Sequence, residues 1–179
     1  MYKRQVRRID DLGRIVIPKE IRRTLRIREG DPLEIFTDRE GKVILKKYSP
    51  IGELGTLAGI YADSLSKTLG CTVCITDTDQ VIAAAGNGKK ELQEMLLSVE
   101  LAEVFQERKT VLKKSSDAEF VAITKDRSEY SEEIISVILS EGDIAGGVIF
   151  LQKNEKKHFG EMEKKFAAGA ADLLGRQLS

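Results

Sequence analysis

Tryptophan is absent from this 179-residue chain, and aromatic residues make up only 6% of it. Proteins that hold single-stranded nucleic acid stack bases on aromatic side chains, so that mode of recognition is poorly served. Histidine occurs once, as His158, with no second histidine or cysteine nearby. Most histidine-based acid–base mechanisms, and a zinc set, therefore lack their raw material. No apolar run reaches the ~18 residues that a membrane-spanning helix needs. The basic N-terminus has no apolar stretch behind it to form a secretory signal. The expectation is a soluble, intracellular protein with no membrane partner. The loop G-x-x-x-x-G-K-[ST], the elbow G-x-S-x-G and the helix motif H-E-x-x-H are all missing. No catalytic residue, cofactor or metal is expected, and the chain does not read as an enzyme.

Cysteine is also scarce. Cys71 and Cys74 form a C-x-x-C, but Cys71-Thr72-Val73-Cys74-Ile75 reads as a strand. A redox or metal pair needs a helix start or a tight knuckle. Residues three apart on a strand point to opposite faces, so the two read as small core residues. Gly86-Asn87-Gly88-Lys89-Lys90 looks superficially like an anion site before a helix. It lacks the rest of a phosphate loop and reads as a turn, as do Asp77 and Asp79.

Apolar residues are 41% of the chain and charged residues 32%, enough for a real core. The formal net charge of zero hides an asymmetry: residues 1–50 hold 14 basic and 8 acidic side chains, a net +6, and the remainder carries −6. A basic head on an acidic body suggests two domains, 1–50 and 51–179, with different partners.

In the head, Val6 to Ile9 and Arg14 to Ile17 read as strands around the turn Asp10-Asp11-Leu12-Gly13. Pro18 stands where a helix begins. On a helix running to about Arg26, Lys19, Arg22, Arg23 and Arg26 share an arc of about 100°, with Ile21 and Leu25 opposite. Leu33 to Thr37 and Lys42 to Lys46 read as a hairpin around Asp38–Gly41. Some ~45 residues without disulfide or metal can hardly bury a sufficient core, so size alone predicts a dimer.

In the body, helices are expected over 51–69, over 89–107 with a break near Ser98, and over 161–178. The first carries an apolar stripe through Leu54, Leu57, Ala58, Tyr61, Leu65 and Leu69. The last carries one through Met162, Phe166, Ala170, Leu173 and Leu174. Strands are expected at 71–76, 80–84, 120–124, 134–140 and 145–151.

Clustered arginine offers bidentate hydrogen bonds to phosphates and guanine edges that lysine cannot match. The cationic helix face, with Arg7, Arg8 and Arg14 on the neighbouring strands, points to duplex DNA.

The block D-D-L-G-R-I-V-I-P-K-E-I-R-R-T-L, within residues 6–50, closely resembles the AbrB-like transition-state regulators. The resemblance implies a swapped-hairpin β-barrel dimer, which agrees with the size argument. It implies that Arg7, Arg14, Arg22 and Arg23 contact double-stranded DNA; charge and geometry add Arg8 and Lys19. Met1 to Gln5 depart from the few small residues that usually open the family, so no role follows for Lys3 and Arg4. Residues 51–179 resemble, in the order of their elements, the GAF-like C-terminal domain of the family's sporulation branch.

The class expected is thus α+β, a dimeric swapped-hairpin barrel followed by a GAF-like α/β sandwich with flanking helices. The resemblance implies a regulator of sporulation genes in the cytoplasm, on the nucleoid. The body would serve for sensing or assembly, with a homotetramer as the larger assembly and a small molecule as its candidate ligand. Two other readings stay open. One is an antitoxin whose head binds DNA and whose tail binds a toxin; the other is an enzyme whose basic head binds RNA or anions.

Overall fold

The computed structural model describes residues 5–125 and 130–178. Lys3 and Arg4 lie outside the described residues. The chain forms two compact units, Met1–Tyr48 and Ser49–Ser179.

The head is built from one short helix and one hairpin. Gly13, at φ +77°, and the bond from its amide to the Asp10 carbonyl close the expected turn. The segments 6–9 and 14–17 are not strands in this chain, contrary to expectation. A strand is defined by a ladder, and beyond the Asp10 amide to the Arg14 carbonyl at 3.0 Å no ladder joins these two segments. Helix α1 is Lys19–Thr24, shorter than expected. The Ile27 amide reaches the Arg22 carbonyl at 2.8 Å and the Arg26 amide reaches that of Arg23 at 3.4 Å, a Schellman ending. Arg26 takes the left-handed position, φ +54°, and so leaves the arc shared by Lys19, Arg22 and Arg23. Strands β1 (Leu33–Thr37) and β2 (Val43–Lys47) pair antiparallel, Leu33 opposite Lys47. Asp31 anchors the base of this hairpin through the Arg28 amide at 2.8 Å and Lys47 at 3.1 Å. None of residues 5–48 is buried, and Val6, Val16, Ile35 and Val43 are each more than half exposed.

The body carries its own core. Short helix α2 (Pro50–Glu53) runs into α3 (Gly55–Leu69), where one helix was expected. Ser49 caps α2, accepting the Gly52 amide and donating to Asp77 Oδ2 at 2.7 Å. Then follow β3 (Thr72–Thr76), β4 (Val81–Ala85), α4 (Lys89–Leu92) and α5 (Val99–Gln106), with Ser98 capping α5 as the break near it suggested. Next come β5 (Val111–Lys114), β6 (Glu132–Ser140), β7 (Asp143–Gln152) and α6 (Glu161–Gln177). The strands make one antiparallel sheet in the order β4-β3-β7-β6-β5.

The strand expected over 120–124 is an irregular segment, and the edge position beside β6 falls to β5, which was not expected. Residues 119–124 are held instead by side-chain bonds from Lys113, Glu133 and Ser98 and by the Ser98 amide on the Ile123 carbonyl. The β-branched run Phe120–Thr124 reads as a strand because it is apolar, but its apolar residues pack downward without a ladder.

Alternation along the strands makes two cores. Ile134, Val148 and Phe150 face α3 and α6, where Ala58, Ala62, Ala167, Ala171 and Leu174 meet them. Ile135, Ile149 and Leu151 face α5, residues 120–123 and Tyr130, with Leu97, Leu101 and Phe105. Cys71 belongs to the first core and Cys74 to the second, as strand geometry requires. Burial pushes the Cys71 thiol up to about 11 and the Cys74 thiol up to about 12, so both stay protonated.

Two close approaches fix the packing. A methyl at Gly175 would run into the Leu139 carbonyl oxygen, so α6 lies directly against β6. A methyl at Gly146 would meet the Thr76 carbonyl, so β7 approaches the end of β3 as closely. This rotates the apolar stripe of α6 from its expected line. Ala167, Ala170, Ala171 and Leu174 are buried, while Met162, Phe166 and Leu173 are more than a third exposed. At the outer edge of β4 the Val81 amide donates to the Met95 carbonyl at 2.9 Å, and the Gln93 side chain continues the cover: its Oε1 accepts the Ala84 amide at 3.0 Å and its Nε2 donates to the Ile82 carbonyl at 2.8 Å.

Candidate nucleic-acid interface

The six cations expected to contact DNA are distributed over two pieces of the head. Lys19, Arg22 and Arg23 share one side of α1, Lys19 and Arg23 exposed and Arg22 half-buried. An amide relay sets Arg7 beside them: Arg7 Nη2 donates to Gln5 Oε1 at 3.3 Å, and Gln5 Nε2 donates to Glu20 Oε2 at 3.5 Å. Lys19, Glu20, Arg23 and Thr24 line a depression of about 450 Å³. The Glu20 carboxylate in that wall offsets its cations, so it favours an extended polyanion passing over it more than a captured small anion.

Arg14 is held elsewhere, by Asp10. Asp10 Oδ1 accepts the amides of Leu12 at 3.0 Å and Arg14 at 2.7 Å, and Oδ2 accepts Arg14 Nε at 2.8 Å. The Arg14 amide, then its guanidinium, hold the Asp10 carboxyl below the usual carboxylate range. The Arg14 side chain is 70% exposed. An ion pair this open contributes little on its own and is readily exchanged for phosphate. Arg8 is exposed, and no hydrogen bond among the described residues joins Arg8 or Arg14 to α1. The organising role of Asp10 was not visible in the sequence beyond its place in a turn. Its signal is an aspartate four residues before an arginine across a glycine.

No group of residues among those described has the makings of a metal site, and none of the described helices is long and apolar enough to cross a membrane.

A basic head with an uncovered apolar hairpin is thus followed by a two-cored α/β sandwich. Comparison with known proteins bears on each unit. Residues 53–179 match the model of the stage V sporulation protein T C-terminal, transcription factor, family. Residues 6–53 match that of the antidote-toxin recognition MazE, bacterial antitoxin, family. The chain is 50% identical over 177 residues to stage V sporulation protein T of Bacillus subtilis, covering 97% of this chain and 96% of that protein. It is 42% identical over 89 residues to the transition state regulatory protein AbrB of the same organism, covering 49% of this chain and 92% of that one. Among solved structures, the GAF domain of an Acinetobacter phosphoenolpyruvate-protein phosphotransferase superposes with a TM-score of 0.59 at 15% identity, over 74% of this chain and 84% of that one. The chain belongs to the stage V sporulation protein T family of transcription factors. Its body has the GAF fold, its head is of the AbrB and MazE type, and its family is one of regulators rather than enzymes.

Proposed function

We propose that residues 1–50 bind double-stranded DNA through Arg7, Arg8, Arg14, Lys19, Arg22 and Arg23, and that residues 51–179 are a sensor and assembly domain. The protein then regulates sporulation genes from the cytoplasm, on the nucleoid. The observation that carries this reading is the state of the head. Lys19, Arg22 and Arg23 share one side of α1, while none of the head's described residues is buried.

A unit this small with no core is not stable alone, and a two-stranded sheet is marginal in water. A second copy supplies what is missing: the segments 6–9 and 14–17 form their ladders with its backbone, giving a swapped-hairpin dimer. Two-fold symmetry then presents two cationic helices, suited to a pseudo-palindromic duplex. The outward residues of the body, Ile60, Met162, Phe166 and Leu173, give an apolar surface for a second pairing, dimers into a tetramer. Two heads on one duplex gain affinity through effective concentration. A small molecule held by the body would bias that assembly.

The head's match to the antitoxin model supports a second reading, in which the remainder of the chain binds a toxin. Against it stands the body, which is a folded domain with two cores rather than an extended tail.

The test is duplex binding by fluorescence anisotropy across a salt series, wild type beside Arg22→Ala. Each phosphate contact contributes a slope of about −0.9 in log K against log salt. A steep wild-type slope and weaker, shallower binding by the variant are expected. Failure of the folded, oligomeric protein to bind any duplex at low salt overturns the reading.

A further inference from the structure

Glu133 is the most anomalous group in the body. It lies at the start of β6 with 0% exposure, on the face that also presents Ile135 and Val137. Its Oε1 accepts the Val121 amide at 3.1 Å, and its Oε2 is buried with no hydrogen-bond partner among the described residues. Directly opposite on β5 stands Lys113, itself buried. The Lys113 ammonium donates to the Glu119 carbonyl at 2.8 Å.

These contacts share one target, the segment 119–124. Glu133 holds Val121 and Lys113 holds Glu119. Ser98 takes the next two residues, its hydroxyl donating to the Ala122 carbonyl at 2.5 Å and its amide to that of Ile123 at 2.9 Å. Beyond an isolated bridge between Leu97 and Thr124, no ladder secures the segment, yet it covers the second core with Phe120, Val121 and Ile123. A cover fastened mostly by single side-chain bonds depends on the state of each one.

We infer that Glu133 is a proton-operated latch on the 119–124 segment, holding it tightly while the carboxyl carries its proton and weakly once the proton has gone. Ionised and buried, Glu133 keeps a charged oxygen that no described residue hydrogen-bonds. Neutral, it keeps the Val121 bond and leaves no charge stranded. The groups facing it leave this balance intact. Among the described residues Lys113 on β5 is the one cation facing it, β7 presents Leu151 opposite, the segment presents the Val121 amide, and Tyr130 is the phenol of the same cluster. Burial pushes the Glu133 carboxyl up to about 7; the Val121 amide and Lys113 pull the other way and lose.

The sign follows. With the segment lifted, the carboxyl meets water and returns toward its ordinary 4.5. The closed form therefore binds the proton more tightly. Closure is strongest below about 4.5, weakens by about tenfold per pH unit up to about 7, and levels off above, where both forms are ionised. Acidification closes the cover and neutral pH loosens it.

Amide hydrogen exchange on the full-length protein from about pH 5 to 8 reads this directly, with intrinsic exchange divided out and Ile149 as the reference amide. Protection of Val121 and Ile123 is expected to fall by about tenfold per unit up to about pH 7 and then level off, and to be flat in Glu133→Gln. The same pH course in wild type and variant overturns the latch. Should the variant not fold, the carbon-13 shift of the Glu133 carboxyl in the wild type decides. A midpoint near 7 supports the latch, and one in the ordinary carboxylate range, about 4 to 5, overturns it.

Discussion

Two adjacent glutamates at the start of β6 meet opposite fates. Glu133 points into the second core and is pushed up; Glu132 points to the other face and is held below the usual carboxylate range. Burial works to raise Glu132 as well, but the Phe159 amide at 2.6 Å, His158 Nδ1 at 2.7 Å and Lys114 at 3.8 Å outweigh it. The lone histidine thus has a structural task, tying the approach to α6 onto the sheet. Because its folded value is depressed, Glu132 stabilises the body above its ordinary 4.5, and that contribution is lost as pH falls through the folded value. Glu132→Gln is expected to cost about 1–3 kcal/mol at pH 7 and to flatten the acid limb of the melting-temperature curve. An unchanged acid limb would show that the His158–Glu132 contact contributes nothing. Neither role was legible in the sequence. A strand starting at Ile134 left Glu132 and Glu133 outside it, since two carboxylates in a row look like a solvated flank. Only tertiary partners, invisible to periodicity, make them tolerable inside.

Among elements, what was readable followed local rules. The turn at Asp10–Gly13, the hairpin of β1 and β2, the break near Ser98 and the strand character of the C-x-x-C all follow from turn chemistry and alternation. What was missed depended on a neighbour. The stripe of α6 was read on the line of its largest residues, whereas the helix presses its small ones, Ala167, Ala171 and Gly175, onto β6. Gly175→Ala forces a methyl against the Leu139 carbonyl and is expected to destabilise by about 3 kcal/mol. Gly169 lies on the open side of the same helix with nothing within reach of an added methyl. Gly169→Ala is therefore expected to stabilise by about 0.5–1 kcal/mol, since alanine is the better helix former. Urea unfolding of the two variants tests the pair, and equal effects would contradict the close approach. The cationic helix was located correctly, but its fourth member was not. Arg26 fell off the arc because the helix ends in a left-handed turn that usually calls for glycine, and no glycine marks it here.

At the scale of the molecule, a basic head with no buried residue among those described is followed by an acidic body with its own core. The proposed dimerisation predicts that a fragment 1–50 sediments as a dimer and binds DNA more weakly than the full chain; a folded monomer would contradict it. The proposed tetramer predicts that Phe166→Lys halves the assembly by light scattering while the body stays folded, because that side chain is 43% exposed. The edge of β4 bears on both. An exposed strand edge is a template on which further chains can stack without limit, and the Gln93 amide fills the two backbone positions where stacking would start there. What this protects is dosage. Copies lost into open-ended aggregates would be withdrawn from every promoter at once, and at β4 the Gln93 side chain together with the Glu94 and Met95 backbone on Val81 closes that drain.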